Sequence, residues 1–468
     1  MLSGLLDFIY SIRGDLTYAS LLIVSAAFCL AVHRFHLYAE RRFLDGFVGL
    51  AICVLFLGRL TLYSFVVVAA HLLLYRHVRC PRLLSNLSFF GTFGYLLLLR
   101  SIHFISPLPK LEFVANAVQL LMTLRTIGLS YEVADARVAK AKKDEEPKLD
   151  RFGKPIRYIE EPDTLATFNY LYGFAGLFTG PYYTYQMYSD SINYKYVERV
   201  PVKALIVERL SRLRWSLPAL LFFYWLDPVG LCRAENVNEH HILVRFVLAA
   251  AAFAYLRMRI YTAWAISESV CIGCGIGVYP IESEPESCHG PRNVDALTLP
   301  DWEGFNAEAI NNLDIAKVEW SDGFRSGMRA WNRSVQFWLA SFVYRRSPKA
   351  IRMPYTMFIS AFWHGIHPGY FLSFLTIPLC TAAEDIMFRR FPEDPETKAR
   401  NPIFQQIWVF IRCRGFEMLA TGFLLLTWED TTRLWSGFHW WLQIFTIAII
   451  AFDLLLPRKS AKGTKKDE

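Results

Sequence analysis

A Trp363-His364-Gly365 triplet lies deep in apolar sequence. From Met353 to Ala383 the chain runs 31 residues without an Asp, Glu, Lys or Arg. A helix crosses a bilayer with about 20 apolar residues, so this stretch is long enough to span one. His364 and His367 are its side chains that titrate near neutrality, and an ionisable group at membrane depth is costly enough to be read as functional by default. Thirty-two residues upstream, Asn332 sits in a second apolar segment. An imidazole can take a proton from a hydroxyl, and an amide can orient that imidazole or donate to a developing oxyanion. The pair suits acyl transfer to an alcohol inside a membrane.

His367, one turn on, is the rival base. It precedes Pro368, which predicts a distorted stretch and a less fixed side chain. Pro354, Pro368 and Pro378 interrupt helical bonding in this segment, and such breaks are tolerated at depth where backbone lines a cavity. Gly365 and Gly369 permit close approach of a ligand or helix. A packing histidine bonded to a carbonyl is the plainer alternative. Ser360 lies one turn before His364, but no Gly-x-Ser-x-Gly elbow accompanies it, so direct transfer is expected over a covalent route.

Around Asn332, the apolar residues Phe324, Met328, Trp331, Val335, Trp338 and Phe342 recur at steps of four and three. That spacing predicts one continuous helical stripe, with Asn332 at its edge and Arg325, Arg329 and Gln336 on the flank beyond. An asparagine that merely caps or bonds a neighbour fits the same pattern. Arg345 and Arg346 follow, placed to meet phosphate or the membrane surface.

The elements that carry these residues are read from composition. The chain of 468 residues is 54% hydrophobic and only 20% charged, whereas a soluble protein carries about 25% charge. An integral, multi-pass, all-α membrane protein is expected, with ten or eleven spanning or re-entrant helices around a cavity. Charge-free runs mark candidate spans at 16–33, 46–58, 60–75, 83–99, 164–189 and 434–452. Shorter runs at 215–226 and 246–256 are interrupted by Arg245, Arg257 and Arg259. Residues 1–456 read as a single transmembrane domain, its first run a retained helix and not a removed signal peptide.

Two polar segments break that domain. Residues 132–163 hold 17 charged residues of both signs and read as a solvated, flexible loop. Residues 281–321 form an acidic loop leading into the Asn332 segment. The tail, 457–468, is basic and ends Lys465-Lys466-Asp467-Glu468. It resembles a dilysine retrieval signal, which places the protein in the endoplasmic reticulum membrane with a cytosolic C-terminus. A basic tail holding anionic lipid is the other reading. Cys271-x-x-Cys274 with Cys288-His289 lacks a second pair at zinc spacing, so no metal is expected. No nucleic-acid partner is expected either, and protein partners are left open.

Three segments resemble the membrane-bound O-acyltransferase superfamily: Ala361-Phe362-Trp363-His364-Gly365, Trp331-Asn332-Arg333-Ser334-Val335-Gln336-Phe337-Trp338, and the Gly-Pro element within Leu171–Tyr182. The likeness runs over residues 20–455. The form of the Asn332 segment is similar to the lysophospholipid branch, nearest the lysophosphatidylinositol acyltransferases. The Thr179–Tyr183 element and the stretch Arg257–Trp264 add to that likeness. The resemblance implies an enclosed tunnel, His364 and Asn332 as catalytic residues, no bound cofactor, and acyl-CoA as co-substrate. It also implies transfer of a polyunsaturated chain, arachidonoyl favoured, to the sn-2 hydroxyl of lysophosphatidylinositol. Trp331, Gln336, Trp338 and Trp363 are candidate substrate contacts, and Arg325, Arg329, Arg345 and Arg346 candidate partners for the anionic CoA. Another lysophospholipid, or a lumenal protein or peptide, remains an alternative acceptor. A polytopic transporter is the reading from another class; Glu268 would be its one buried acid.

Overall fold

The computed structural model describes residues 13–109, 111–142 and 156–455. The dilysine-like tail and the middle of the charged loop lie outside the described residues. Apolar runs become helices because, in lipid, a helix satisfies its own backbone polar groups. Nineteen α-helices result among the described residues. The N-terminal part holds α1 (Arg13–Arg34), α2 (Arg41–Leu57), α3 (Thr61–His77), α4 (Pro81–Ile105) and α5 (Phe113–Ala141). Then come α6 (Thr164–Tyr172), α7 (Tyr185–Asn193), α8 (Val202–Leu210), α9 (Leu213–Leu226), α10 (Pro228–Arg233) and α11 (Ile242–Gly273). A two-residue antiparallel ribbon, β1 (Tyr279–Pro280) with β2 (Phe305–Asn306), lies in the acidic loop. The C-terminal part holds α12 (Ile315–Glu319), α13 (Phe324–Ala330), α14 (Arg333–Phe342), α15 (Arg352–His364), α16 (Pro368–Arg390), α17 (Pro402–Leu425), α18 (Trp428–Gly437) and α19 (Trp441–Leu455).

Five helical stretches are long and apolar enough to cross a bilayer, six if the pair α18 and α19 is one span. The other apolar segments are shorter or carry charge. Four expectations are revised here. The run 164–189 is not one span: α6 stops at Tyr172 and the Gly-Pro element crosses the interior as irregular backbone before α7 starts. Its carbonyls need partners away from water, and the buried Arg125 of α5 supplies them. That guanidinium donates to the carbonyls of Tyr170, Leu171, Gly173 and Ala175 at 2.5–3.1 Å.

The run 434–452 breaks too, with a 70° bend between α18 and α19 at His439 and Trp440, both with positive φ. Conversely, Arg257 and Arg259 do not end a helix. They ride on the 32-residue α11, where Arg257 pairs with Glu319 and Arg259 with Asp15. Finally, the charged loop starts later than 132, because α5 continues to Ala141. Glu132 accepts the backbone N–H groups of Tyr185 and Gln186 at the start of α7. Asp135 and Arg137 pair with Arg346 and Glu161. Glu132, Asp135, Arg137 and Glu161, which read as solvated, are instead bonded or paired.

Candidate active site

The helices bury apolar side chains in separate clusters, and two of these frame the site. One gathers Phe89, Phe93, Leu124, Trp338, Phe342, Ile359 and Trp363 from α4, α5, α14 and α15. The other gathers Phe324, Met357, Ile377, Trp408 and Trp435 from α13 and α15 to α18. Two chain segments belong to both: α15, through Ile359 and Trp363 on one side and Met357 on the other, and the pair α13 and α14. His364 ends the first segment, and Asn332 joins the halves of the second.

The predicted continuous stripe is broken at that join. Asn332 adopts φ 46° and ψ 55°, a left-handed conformation that asparagine tolerates better than most residues. Each half keeps helical spacing, but the break lets Phe324 face one cluster and Val335 and Trp338 the other. Gln336 crosses the break, its side-chain amide donating to the Met328 carbonyl. The Asn332 side chain is half-buried and makes no hydrogen bond with another described residue.

His364 is half-buried as well. Its ring lies in an aromatic box, with centroids at 4.6 Å from Trp363, 5.0 Å from Phe423, 5.2 Å from Phe374 and 5.8 Å from Tyr370. Neither ring nitrogen is bonded to a described residue, and neither is among the sealed, unsatisfied polar atoms. An accessible, unbonded imidazole among aromatic faces suits a proton acceptor. His367 is exposed at the start of α16, outside this box.

Arg100 of α4, which the sequence reading missed, closes the end of α15. Its guanidinium donates to the carbonyls of Phe362 at 2.5 Å, Trp363 at 2.6 Å and His364 at 3.1 Å. A helix ends with unpaired carbonyls and a partial negative charge, so a buried cation there fixes the last turn, His364 included. The charge-free span thus borrows its charge from a neighbour.

The remaining predicted residues divide by surroundings. Trp338 is 0% exposed and bonds the Leu124 carbonyl at 3.0 Å; Trp363 bonds that of Leu120 at 3.1 Å. Both are placed as anchors on α5. Trp331 is half-buried against Tyr261 and Trp264. Arg325 pairs with Asp385 at 2.6 Å and Arg346 with Asp135 at 2.7 Å. Arg329 and Arg345 are exposed without an ion pair to a described residue. Glu268 is buried with Arg209 at 2.7 Å and Arg212 at 3.5 Å, an arrangement that holds structure together. The Cys271, Cys274 and Cys288 thiols are free and buried.

A polytopic helical protein with an unbonded histidine and asparagine where two apolar clusters meet is a candidate intramembrane enzyme. The membrane-bound O-acyltransferase family matches residues 150–424. The membrane-bound acylglycerophosphatidylinositol O-acyltransferase mboa-7 of Caenorhabditis elegans is 42% identical over 382 residues, 80% of this chain and 82% of that protein. The acylglycerophosphatidylinositol O-acyltransferases MBOAT7 of Mus musculus and Homo sapiens are each 32% identical, and in both cases 89% of either chain is covered. The chain belongs to the membrane-bound O-acyltransferase family and is an acyltransferase.

Proposed function

We propose that this acyltransferase moves a polyunsaturated acyl chain, arachidonoyl favoured, from acyl-CoA to the sn-2 hydroxyl of lysophosphatidylinositol. The head group is supported by the names of the relatives, all acylglycerophosphatidylinositol O-acyltransferases. The mechanism rests on one observation above the others: the accessible, unbonded His364 ring in its aromatic box. His364 takes the acceptor's proton as the oxygen attacks the thioester carbonyl. The new ester C–O bond forms, the C–S bond breaks, and the proton passes to the CoA thiolate. General-base action of this kind contributes on the order of 10²–10⁴-fold. Asn332 orients the reacting groups or donates its amide to the oxyanion, a donor worth about 3 kcal/mol. Holding two lipids in a water-poor cavity supplies much of the rest.

The anionic CoA arrives past exposed Arg329 and Arg345, and the enzyme works in the endoplasmic reticulum with a cytosolic C-terminus. Purified wild-type and His364→Ala protein, given arachidonoyl-CoA and a panel of lysophospholipids, test the reading. Transfer to lysophosphatidylinositol that vanishes in the folded variant is the expected result. A preference for another lysophospholipid overturns the head group, and an unimpaired variant overturns the base.

A further inference from the structure

We propose that Asn312 is a positioning residue that caps α14 from outside and so frees the Asn332 carboxamide for the reaction. The inference rests on the reading of Asn332 as a catalytic residue. Asn332 occupies the N-cap position of α14, where an asparagine ordinarily spends its side-chain oxygen on the first backbone N–H groups of its own helix. Here it makes no such bond. The N–H groups are taken by Asn312 instead. Arg333 N–H donates to the Asn312 main-chain carbonyl at 2.8 Å, and Ser334 N–H to its side-chain Oδ1 at 3.0 Å. With its capping duty removed, Asn332 sits in a left-handed conformation with its amide unbonded and half-exposed.

Asn312 has the support such a part requires. It is 1% exposed, and its own N–H donates to Glu268 Oε1 at 3.0 Å. The other Glu268 oxygen receives Arg209 and Arg212, so α8 and α11 together fix Asn312. The Gly-Pro element closes the other side. Tyr182 N–H donates to Ser334 Oγ at 3.2 Å, while Trp264 and Ser267 of α11 hold the carbonyls of Thr179 and Gly180. Asn312 and Tyr182 thus meet at the first two residues after Asn332, each backed by α11. A purely structural cap would come from Asn332 itself, as Asn401 caps α17 by accepting from Ile403 and Phe404 N–H at 3.0 and 3.2 Å.

The test compares Asn312→Ala, Asn312→Asp, Asn332→Ala and Asn401→Ala with wild type, in transfer from arachidonoyl-CoA to lysophosphatidylinositol and in thermal unfolding. Without the Asn312 acceptor, Asn332 turns back to cap its own helix, and misplacement on that scale costs large factors in rate. Asn312→Ala is expected to lower kcat by about tenfold or more with KM for both substrates little changed. Asn312→Asp, which keeps the accepting oxygen, restores most of that rate. Asn401→Ala, the same chemical loss at a cap remote from the site, lowers the unfolding midpoint but spares kcat. If Asn332→Ala is inactive while folded Asn312→Ala turns over like wild type, the proposal falls and the catalytic reading stands. If Asn332→Ala is fully active, both fall. Should Asn312→Ala fail to fold, Asn312→Asp decides: a folded protein with kcat lowered tenfold or more overturns the proposal, and near wild-type kcat supports it.

Discussion

Trp338 and Trp363 hang from one helix: their indole N–H groups donate to the carbonyls of Leu124 and Leu120, at 3.0 and 3.1 Å. These carbonyls are four residues apart on α5, about 6 Å along its axis. Trp338 lies six residues beyond Asn332 and Trp363 immediately before His364. The helix α5 therefore acts as a rail that sets the height of both site segments, and Arg125 on the same helix fixes the Gly-Pro element.

Trp338→Phe and Trp363→Phe each keep a ring and lose the donor. A neutral hydrogen bond is worth about 1 kcal/mol net, and the smaller ring adds a cavity cost. Both variants should unfold at a lower temperature. Trp363→Phe should also lower kcat severalfold, because it alone adjoins His364. Wild-type activity in Trp363→Phe would count against the rail.

Arg100 carries the next prediction. Its fork spans three carbonyls at the end of α15, and hydrogen bonds to a charged group contribute about 1.5–3 kcal/mol each. Arg100→Ala should cost at least tenfold in kcat together with stability. Lys is a point charge that cannot reproduce the fork, so Arg100→Lys should recover stability better than rate. A lysine variant with full kcat would show that charge alone suffices.

His364 and Asn332 stand out in the sequence as candidates because a polar group in an apolar run is conspicuous in one dimension. Arg100 and Asn312 are hidden in the sequence because each bonds a backbone segment remote in the chain, and nothing in their own neighbourhoods records it. The break at Asn332 was hidden for another reason. Trp331 and Val335 keep the helical step across it, so periodicity sees one stripe where two helices face two clusters. At the described ends of the charged segment, Asp135 and Arg137 on one side and Glu161 on the other are paired, which was hidden because composition registers charges but not their pairing. Likewise, the run 164–189 is apolar because it is buried in protein, not because it is one helix in lipid.

Glu161 gives a pH dependence. Its hydrogen bond to Arg137 holds its carboxyl below the usual carboxylate range, tying the stretch before α6 to α5. A carboxylate depressed by folding stabilises above its unfolded pKa, and that contribution is lost as pH falls through the lower folded value. The pair is partly exposed, so the effect on global stability is small. Local opening is the sensitive readout. Amide exchange in residues 156–163, measured against a remote reference, should rise as pH drops through the acid range, and Glu161→Gln should show the faster exchange already at neutral pH. Identical exchange in both proteins at neutral pH would exclude the tie.

Glu384 links the two halves of the site by a second route. It lies on α16, which follows His364, and is 2% exposed. Its carboxylate accepts from Phe324 N–H at 2.5 Å, Arg325 N–H at 3.0 Å and the Trp408 indole at 3.2 Å. The first two open α13, the helix leading to Asn332, where a negative charge is favoured by the helix dipole. Glu384→Ala leaves those donors buried without an acceptor, at about 1–3 kcal/mol each. Glu384→Gln keeps one accepting oxygen and should lose less. If the link sets the position of Asn332 relative to His364, kcat should fall in the order wild type, Gln, Ala, with the unfolding midpoint following the same order. A Glu384→Ala protein that is less stable but turns over normally would confine Glu384 to holding α13 and α16 together, leaving the α5 rail to align the site alone.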